Sequence, residues 1–179
     1  MPQTRYPQLK QAAELWRCAI SGLGVEVRPD VPTLRRKLSK LTLAPGVVDG
    51  QALEYFGYGA CCLLAGALHE LTDWPLAVAV HRPPAGLARW VHMGVAPAPG
   101  RFFDIHGDRA WPAVMAQYAD YDVTMIGHVT LDQAVMVGAI GGDGWDHLCV
   151  PVVAETIRYF AEALVERHFT AAAPLREVV

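Results

Sequence analysis

Apolar residues recur at helical spacing in four segments of the chain. The segment Leu9–Ile20 carries them on one side, and a second segment, which ends at Leu41, has three leucines on one face. The run Cys61–Leu71 is almost wholly apolar, which is typical of a short buried helix. The longest segment is Val152–His168. We predict a helix in each.

Shorter apolar runs, separated by turn and loop residues, have the length of β-strands. Two of them flank Ala96–Arg101, whose prolines and glycine predict the turn of a hairpin. Farther along, Pro112 lies in the first turn of a short helix predicted for Trp111–Tyr118. The predicted strands are Val25–Val27, Leu76–Val80, Trp90–Val95, Phe102–Ile105 and Asp122–His128.

Composition limits the classes of protein that this chain can belong to. Of its 179 residues, 53% are hydrophobic and 18% are charged, which favours a packed domain. The net charge of −3 gives no broad basic surface for nucleic acid, and no apolar run reaches the roughly 18–20 residues of a membrane span. Four cysteines, two of them adjacent, do not form a disulfide framework. We expect no nucleic-acid or membrane partner. We also expect a cytoplasmic location, or delivery by a secretion system that uses no cleaved signal.

The stretch Gly57–Leu71 carries the clearest chemical signal. Glycines approach Cys61 and Cys62, which open the predicted helix. The first turn of a helix has unpaired N–H groups and a partial positive charge, which favour the nucleophilic thiolate form of cysteine. Cysteine is otherwise an ordinary buried residue, so the presence of a base and an orienting group distinguishes a catalytic thiol from a structural one.

The predicted hairpin supplies both groups. Strand alternation places His92 and Asp104 on the same side. If the hairpin is centred on Ala98, the two residues are directly opposite, with Cβ atoms about 4.5–5.5 Å apart. The carboxylate then accepts the imidazole N–H. With Cys61 as nucleophile, His92 as base and then acid, and Asp104 as orienting group, the chain has the three roles of nucleophilic acyl transfer.

Two stretches resemble a known superfamily. The run Gly59-Ala60-Cys61, followed by Leu64-Ala65 and Ala67-Leu68, is similar to the nucleophile helix of the papain-like and transglutaminase-like superfamily. The strands Trp90–Val95 and Gly100–Asp104 resemble those that carry its histidine and its Asp or Asn. The chain looks most like the compact bacterial and phage-associated members. The resemblance implies a hydrolase or acyl transferase of the peptidase, amidase, deamidase or transglutaminase type, with a protein or peptide substrate and no cofactor.

The chain departs from the papain pattern near the thiol. In papain-type enzymes a glutamine six residues before the cysteine donates a hydrogen bond to the oxyanion, and here that position is Tyr55. The backbone N–H of Cys61, with Tyr55 or Tyr58, is the alternative donor set. In related helices a small residue follows the nucleophile by four positions. Ala65 gives Cys61 this spacing, and Cys62 remains the alternative nucleophile.

Two other functions remain open. A non-catalytic protein-binding module on the same fold would use the thiol for packing alone. A metal-dependent enzyme would use His92, Asp104 and His106, with Cys61 as a further ligand, although no dense metal motif such as CxxC or HExxH occurs. Otherwise we expect His106 at the rim of the site, as a strand-end residue or a substrate contact.

Together these features predict an α+β fold. The helix that begins at Cys61 is expected to pack on a small antiparallel sheet, with N-terminal helices before it and a long C-terminal helix after it. No internal repeat or domain boundary stands out, so we expect a single domain over residues 1–179. Residues 1–50 are its helical N-terminal part, 51–110 its catalytic core, and 111–179 the remainder of the core with the C-terminal helix.

Overall fold

The computed structural model describes residues 25–27, 41–57, 60–82, 84–85, 89–120, 122–130 and 154–170. The helix predicted for residues 9–20 and the side chain of Tyr58 lie outside these ranges. In chain order the elements are β1 (Val25–Val27), β2 (Leu41–Leu43), α1 (Gly50–Gly57), α2 (Cys61–Thr72), β3 (Leu76–His81), β4 (Arg89–Val95), β5 (Arg101–Asp104), β6 (Gly107–Ala110), α3 (Trp111–Met115), β7 (Val123–Val129) and α4 (Ala154–Val165). A 3₁₀ turn, Ala116–Tyr118, follows α3, and a π-helical turn, Glu166–Thr170, follows α4.

Antiparallel pairing joins all the strands that the structure describes. Five of them form one sheet in the order β6-β5-β4-β3-β7, with β3 bonded to both β4 and β7. The strands β1 and β2 form a separate two-stranded sheet. This combination of helices with antiparallel sheets confirms the predicted α+β class.

The two faces of the larger sheet carry different amounts of apolar side chain. On one face α2 packs against β4, and α4 packs against α2; this main core includes Leu64 and Leu68 of α2 and Phe160 of α4. The other face carries a smaller cluster around Phe102, onto which α3 packs. Because both faces are covered, β3 is apolar along its length, with every residue from Leu76 to Val80 buried.

Local sequence explains both ends of α2, the helix that presents the thiol. The carbonyl of Ala60, the residue before it, accepts from the backbone N–H groups of Leu63 and Leu64, so the helix begins at Cys61. At the other end Asp73 adopts a left-handed conformation with φ 57° and donates its backbone N–H to the carbonyl of His69. Such an ending is typical of helices, and Pro75 prevents the helix from continuing.

One predicted element is wrong, and the helix α1 and one strand were not predicted. Leu41 does not belong to a helix, because Leu41–Leu43 is the strand β2, with Leu41 and Leu43 buried and Thr42 exposed. The strand β6 was not predicted, since its four residues show no apolar alternation. The remaining predicted strands and the helices at Cys61, Trp111 and Ala154 are present; β1 has the predicted bounds, and the ends of the others lie within three residues of the prediction.

The register of the central hairpin also differs from the prediction. Val95 pairs with Phe103, so the hairpin is centred on Pro99 rather than Ala98, and the predicted direct pairing of His92 with Asp104 is wrong. The shift is by an even number of residues, so both side chains still project from the same face. They are diagonal neighbours, a separation that long side chains can bridge.

Candidate active site

His92 and Asp104 form a buried hydrogen-bonded pair. The Nε2 atom of His92 lies 2.6 Å from Oδ2 of Asp104, and each residue is 2% exposed. The single ladder pair between β4 and β5, Val95 with Phe103, lies on the turn side of this contact. The two side chains therefore link the strands where no backbone ladder joins them.

Two further donors hold the Asp104 carboxylate. The guanidinium of Arg109 donates from Nη2 to Oδ2 at 2.6 Å, and the backbone N–H of His106 donates to Oδ1 at 2.9 Å. Burial alone would raise the pKa of Asp104, but its hydrogen bond with His92 and the charges of His92, Arg109 and His106 outweigh burial and lower it. The carboxylate is therefore ionised over the physiological pH range.

The charge of Cys61 acts on the imidazole of His92. Burial lowers the pKa of His92, but the charge of Cys61 and the hydrogen bond with Asp104 more than compensate and raise it to about 10. Because Nε2 is held by Asp104, Nδ1 is the ring nitrogen available to the thiol. Nδ1 has no hydrogen bond of regular geometry to the residues that the structure describes, and loose nucleophile–base geometry is common in unliganded sites.

Aromatic rings and one glycine pack against the imidazole of His92. The rings of Phe102 and Tyr118 have centroids 5.6 Å and 6.5 Å from that of His92. A Cβ atom at Gly94 would lie only 2.7 Å from the Phe102 ring and 2.6 Å from the carbonyl oxygen of Phe103. Glycine at this position therefore lets Phe102 pack beside His92.

The other candidate residues fall in three places. Cys62 is buried next to Cys61, and both are free thiols. Tyr55 packs in the main core, with its ring 4.9 Å from that of Phe56, and its role as an oxyanion donor stays a prediction. His106 is exposed in the turn between β5 and β6, and its role at the rim of a site stays a prediction.

His106 also lies near the approach to the thiol. A Cβ atom at Gly57, the last residue of α1, would lie 3.4 Å from Nε2 of His106. Partial desolvation of the ring and the charges of Arg109 and His92 lower the pKa of His106, against the opposing effect of Asp104. The ring is therefore largely neutral at pH 7.

Within the described ranges, no group of three or more His, Cys, Asp and Glu side chains is arranged to hold a metal ion. The reason is visible at Asp104, whose Oδ2 atom already accepts from His92 and from the cationic Arg109. A metal ion at that oxygen would have to displace both donors.

Arg109 is the site residue that sequence reasoning missed. It lies in the unpredicted strand β6, in the polar run Gly107–Ala110. Phe102 pairs with Arg109 across β5 and β6, so Arg109 projects from the same face as Asp104. The available signal in the sequence was Gly107, because glycine is common in tight turns. In the structure its φ is +87°, and recognising this turn would have predicted a second hairpin here.

Comparisons with known proteins leave the family open: no protein family, no curated protein and no solved structure matches the chain. In the part of the chain that the structure describes, no helix is both long and apolar enough to span a bilayer.

Proposed function

We propose that this protein is a cysteine-dependent hydrolase or acyl transferase, of papain-like or transglutaminase-like fold, that acts on an amide or acyl bond of a protein or peptide. The observation that carries the proposal is the short hydrogen bond from His92 to the buried carboxylate of Asp104, on an imidazole whose pKa the neighbouring Cys61 raises. A thiol, an imidazole and a carboxylate linked in this order can perform nucleophilic acyl transfer.

In this mechanism the proton of the Cys61 thiol passes to Nδ1 of His92. The sulfur attacks the carbonyl carbon of the substrate, and the carbonyl oxygen becomes an oxyanion. His92 then returns the proton to the leaving group, and a thioester between Cys61 and the acyl group remains. Water or an amine gives up a proton to His92 and releases the acyl group, which completes hydrolysis or transfer.

Asp104 has a defined role in each step. Its Oδ2 atom accepts from Nε2 and so keeps the other ring nitrogen directed at the thiol. When His92 becomes an imidazolium, the ionised carboxylate balances the new charge in a site that excludes most water. The backbone N–H of Cys61, at the first position of α2, is our proposed oxyanion donor.

A second candidate function is a non-catalytic binding module, and burial favours it. Cys61 is 4% exposed and His92 is 2% exposed, so a substrate reaches the sulfur only if nearby residues move. In such a module the linked side chains stabilise the domain and the thiol contributes packing alone.

Alkylation by iodoacetamide tests the proposal without knowledge of the substrate. The adjacent Cys62 is an internal control, since it is also buried and belongs to the same helix. A thiolate held by imidazolium at pH 7 reacts up to about 30-fold faster than a thiol with the ordinary cysteine pKa. We expect peptide mapping to show faster labelling of Cys61 than of Cys62, and His92→Ala to abolish the difference.

Two results would contradict the enzymatic proposal. One is equal labelling of the two cysteines in the folded protein, and the other is a Cys61 rate that His92→Ala leaves unchanged. A Cys62→Ser variant with normal Cys61 labelling checks that the measured reactivity belongs to Cys61. Slow, equal labelling with a retained fold would favour the binding module.

A further inference from the structure

We propose that Arg109 is a positioning residue of this site, which holds the Asp104 carboxylate ionised and directed at His92. This inference rests on the proposed function for its catalytic meaning, but the contact on which it depends is independent of any substrate.

The geometry places Arg109 and His92 on the same oxygen atom. Both Nη2 of Arg109 and Nε2 of His92 lie 2.6 Å from Oδ2 of Asp104. Because Oδ2 already accepts two hydrogen bonds, a proton added to that oxygen would be repelled by both donors. The carboxylate is thus confined to the acceptor role that an orienting group needs.

The second oxygen of the carboxylate is also engaged. The backbone N–H of His106 donates to Oδ1, so the plane of the carboxylate is fixed from both ends. Arg109 is therefore one of three groups that set the orientation of Asp104, and it is the one that brings a permanent charge.

Arg109 is well suited to this role because few other groups compete for it. Its side chain is 17% exposed, and Asp104 is its partner among the residues that the structure describes, while its Nε atom is buried without a hydrogen bond to them. The ion pair is thus largely shielded from water, where charge pairs are strongest.

Among the described residues, four ionisable groups act on Asp104 or on its partner His92, and His92 itself is one of them. His92 comes from β4, Arg109 from β6 and His106 from the turn between β5 and β6, while Cys61 of α2 acts on His92. Removing the Arg109 charge leaves the titration of Asp104 controlled by two histidines, which lose their own charge at higher pH.

The same hairpin offers a matched control. Arg101 of β5 makes a two-point ion pair with Asp108 of β6, with distances of 3.0 Å and 2.8 Å. This pair joins the same two strands but touches neither Asp104 nor His92. Arg101→Met therefore removes a guanidinium from the hairpin without affecting the site.

We would measure the carboxyl ¹³C shift of Asp104 against pH in Arg109→Met, Arg109→Lys and Arg101→Met, and the pH profile of Cys61 alkylation in the same proteins. We expect the Asp104 pKa to rise by at least about 1 unit in R109M, because an adjacent opposite charge lowers an Asp pKa by about 1–3 units. The acid limb of the alkylation profile should move in the same direction. R109K should recover part of both shifts, and R101M should match the wild type.

The outcomes separate this inference from the proposed function. An Asp104 titration unchanged in folded R109M overturns the role of Arg109, even if His92→Ala still slows Cys61 labelling. If the rate of Cys61 labelling does not depend on His92 but the pKa of Asp104 rises in R109M, the enzymatic proposal is contradicted and the role of Arg109 in holding Asp104 stands. If R109M does not fold, Arg109→Gln replaces it with the same expectation, and failure of both to fold would show a structural role and overturn the proposal.

Discussion

Asp104→Asn is the substitution that tests the charge balance of the site most severely. It preserves the shape of the side chain and the acceptor for the His106 N–H, but it removes the negative charge that faces His92 and Arg109. Breaking a buried ion pair by removing one partner costs about 3–5 kcal/mol. Since His92 can release its proton in the variant, we expect the lower value, about 3 kcal/mol.

Urea unfolding at pH 6 would measure this loss, with the thermal midpoint as a second readout. For a chain of this length, about 3 kcal/mol corresponds to a midpoint lowered by roughly 6–12 °C. Asp108→Asn is the control, since its ion pair with Arg101 involves side chains 26% and 40% exposed. Exposed pairs contribute about 0–1 kcal/mol.

The pH dependence gives this prediction a sign. The pKa of Asp104 is lowered in the folded protein, so its contribution to stability is present above the unfolded value of about 3.9 and is lost as pH falls through the folded value. The difference in free energy of unfolding between wild type and D104N should therefore be full at pH 6 and shrink below pH 4. A difference under about 1 kcal/mol at pH 6, or one that does not change with pH, would refute the reasoning.

Two further substitutions test the surroundings of the site. Gly94→Ala should destabilise the protein by about 1–3 kcal/mol, because its methyl group meets the Phe102 ring and the backbone of β5; a stability equal to wild type in chemical unfolding would show that β4 and β5 are not this closely packed. Phe160→Ala should cost about 3–5 kcal/mol, because its fully buried ring lies 5.1 Å from that of Phe56; a loss below 1 kcal/mol would argue against the docking of α4 in the main core.

Sequence patterns predicted the elements whose burial is regular. The helix at Cys61 and the strand β3 are nearly continuous apolar runs of different length, and β4 and β5 flank an evident turn, so their type and approximate bounds followed directly. The contact between His92 and Asp104 followed from strand parity, which survives an even shift in register. The exact pairing did not follow, because a turn that contains two prolines and a glycine permits more than one length.

Elements with mixed signals were missed for specific physical reasons. The segment that ends at Leu41 has leucines at helical spacing, but Leu41 and Leu43 also alternate around Thr42, and pairing with β1 favours the strand. Arg109 was missed because an arginine in a polar run is usually exposed. Its burial depends on Asp104, which meets it only after the chain turns at Gly107.

The most direct test of the account is the protonation state of the His92 ring, followed by ¹⁵N NMR in the wild type and in Cys61→Ser. The charge of Cys61 and the hydrogen bond with Asp104 outweigh burial and raise the His92 pKa to about 10, so both ring nitrogens should be protonated at pH 8. In Cys61→Ser the same ring should lose its proton at a lower pH. A ring already neutral at pH 7 in the wild type, or a His92 titration that is identical in the two proteins, would show that Cys61 does not raise the pKa of His92 and would contradict the account.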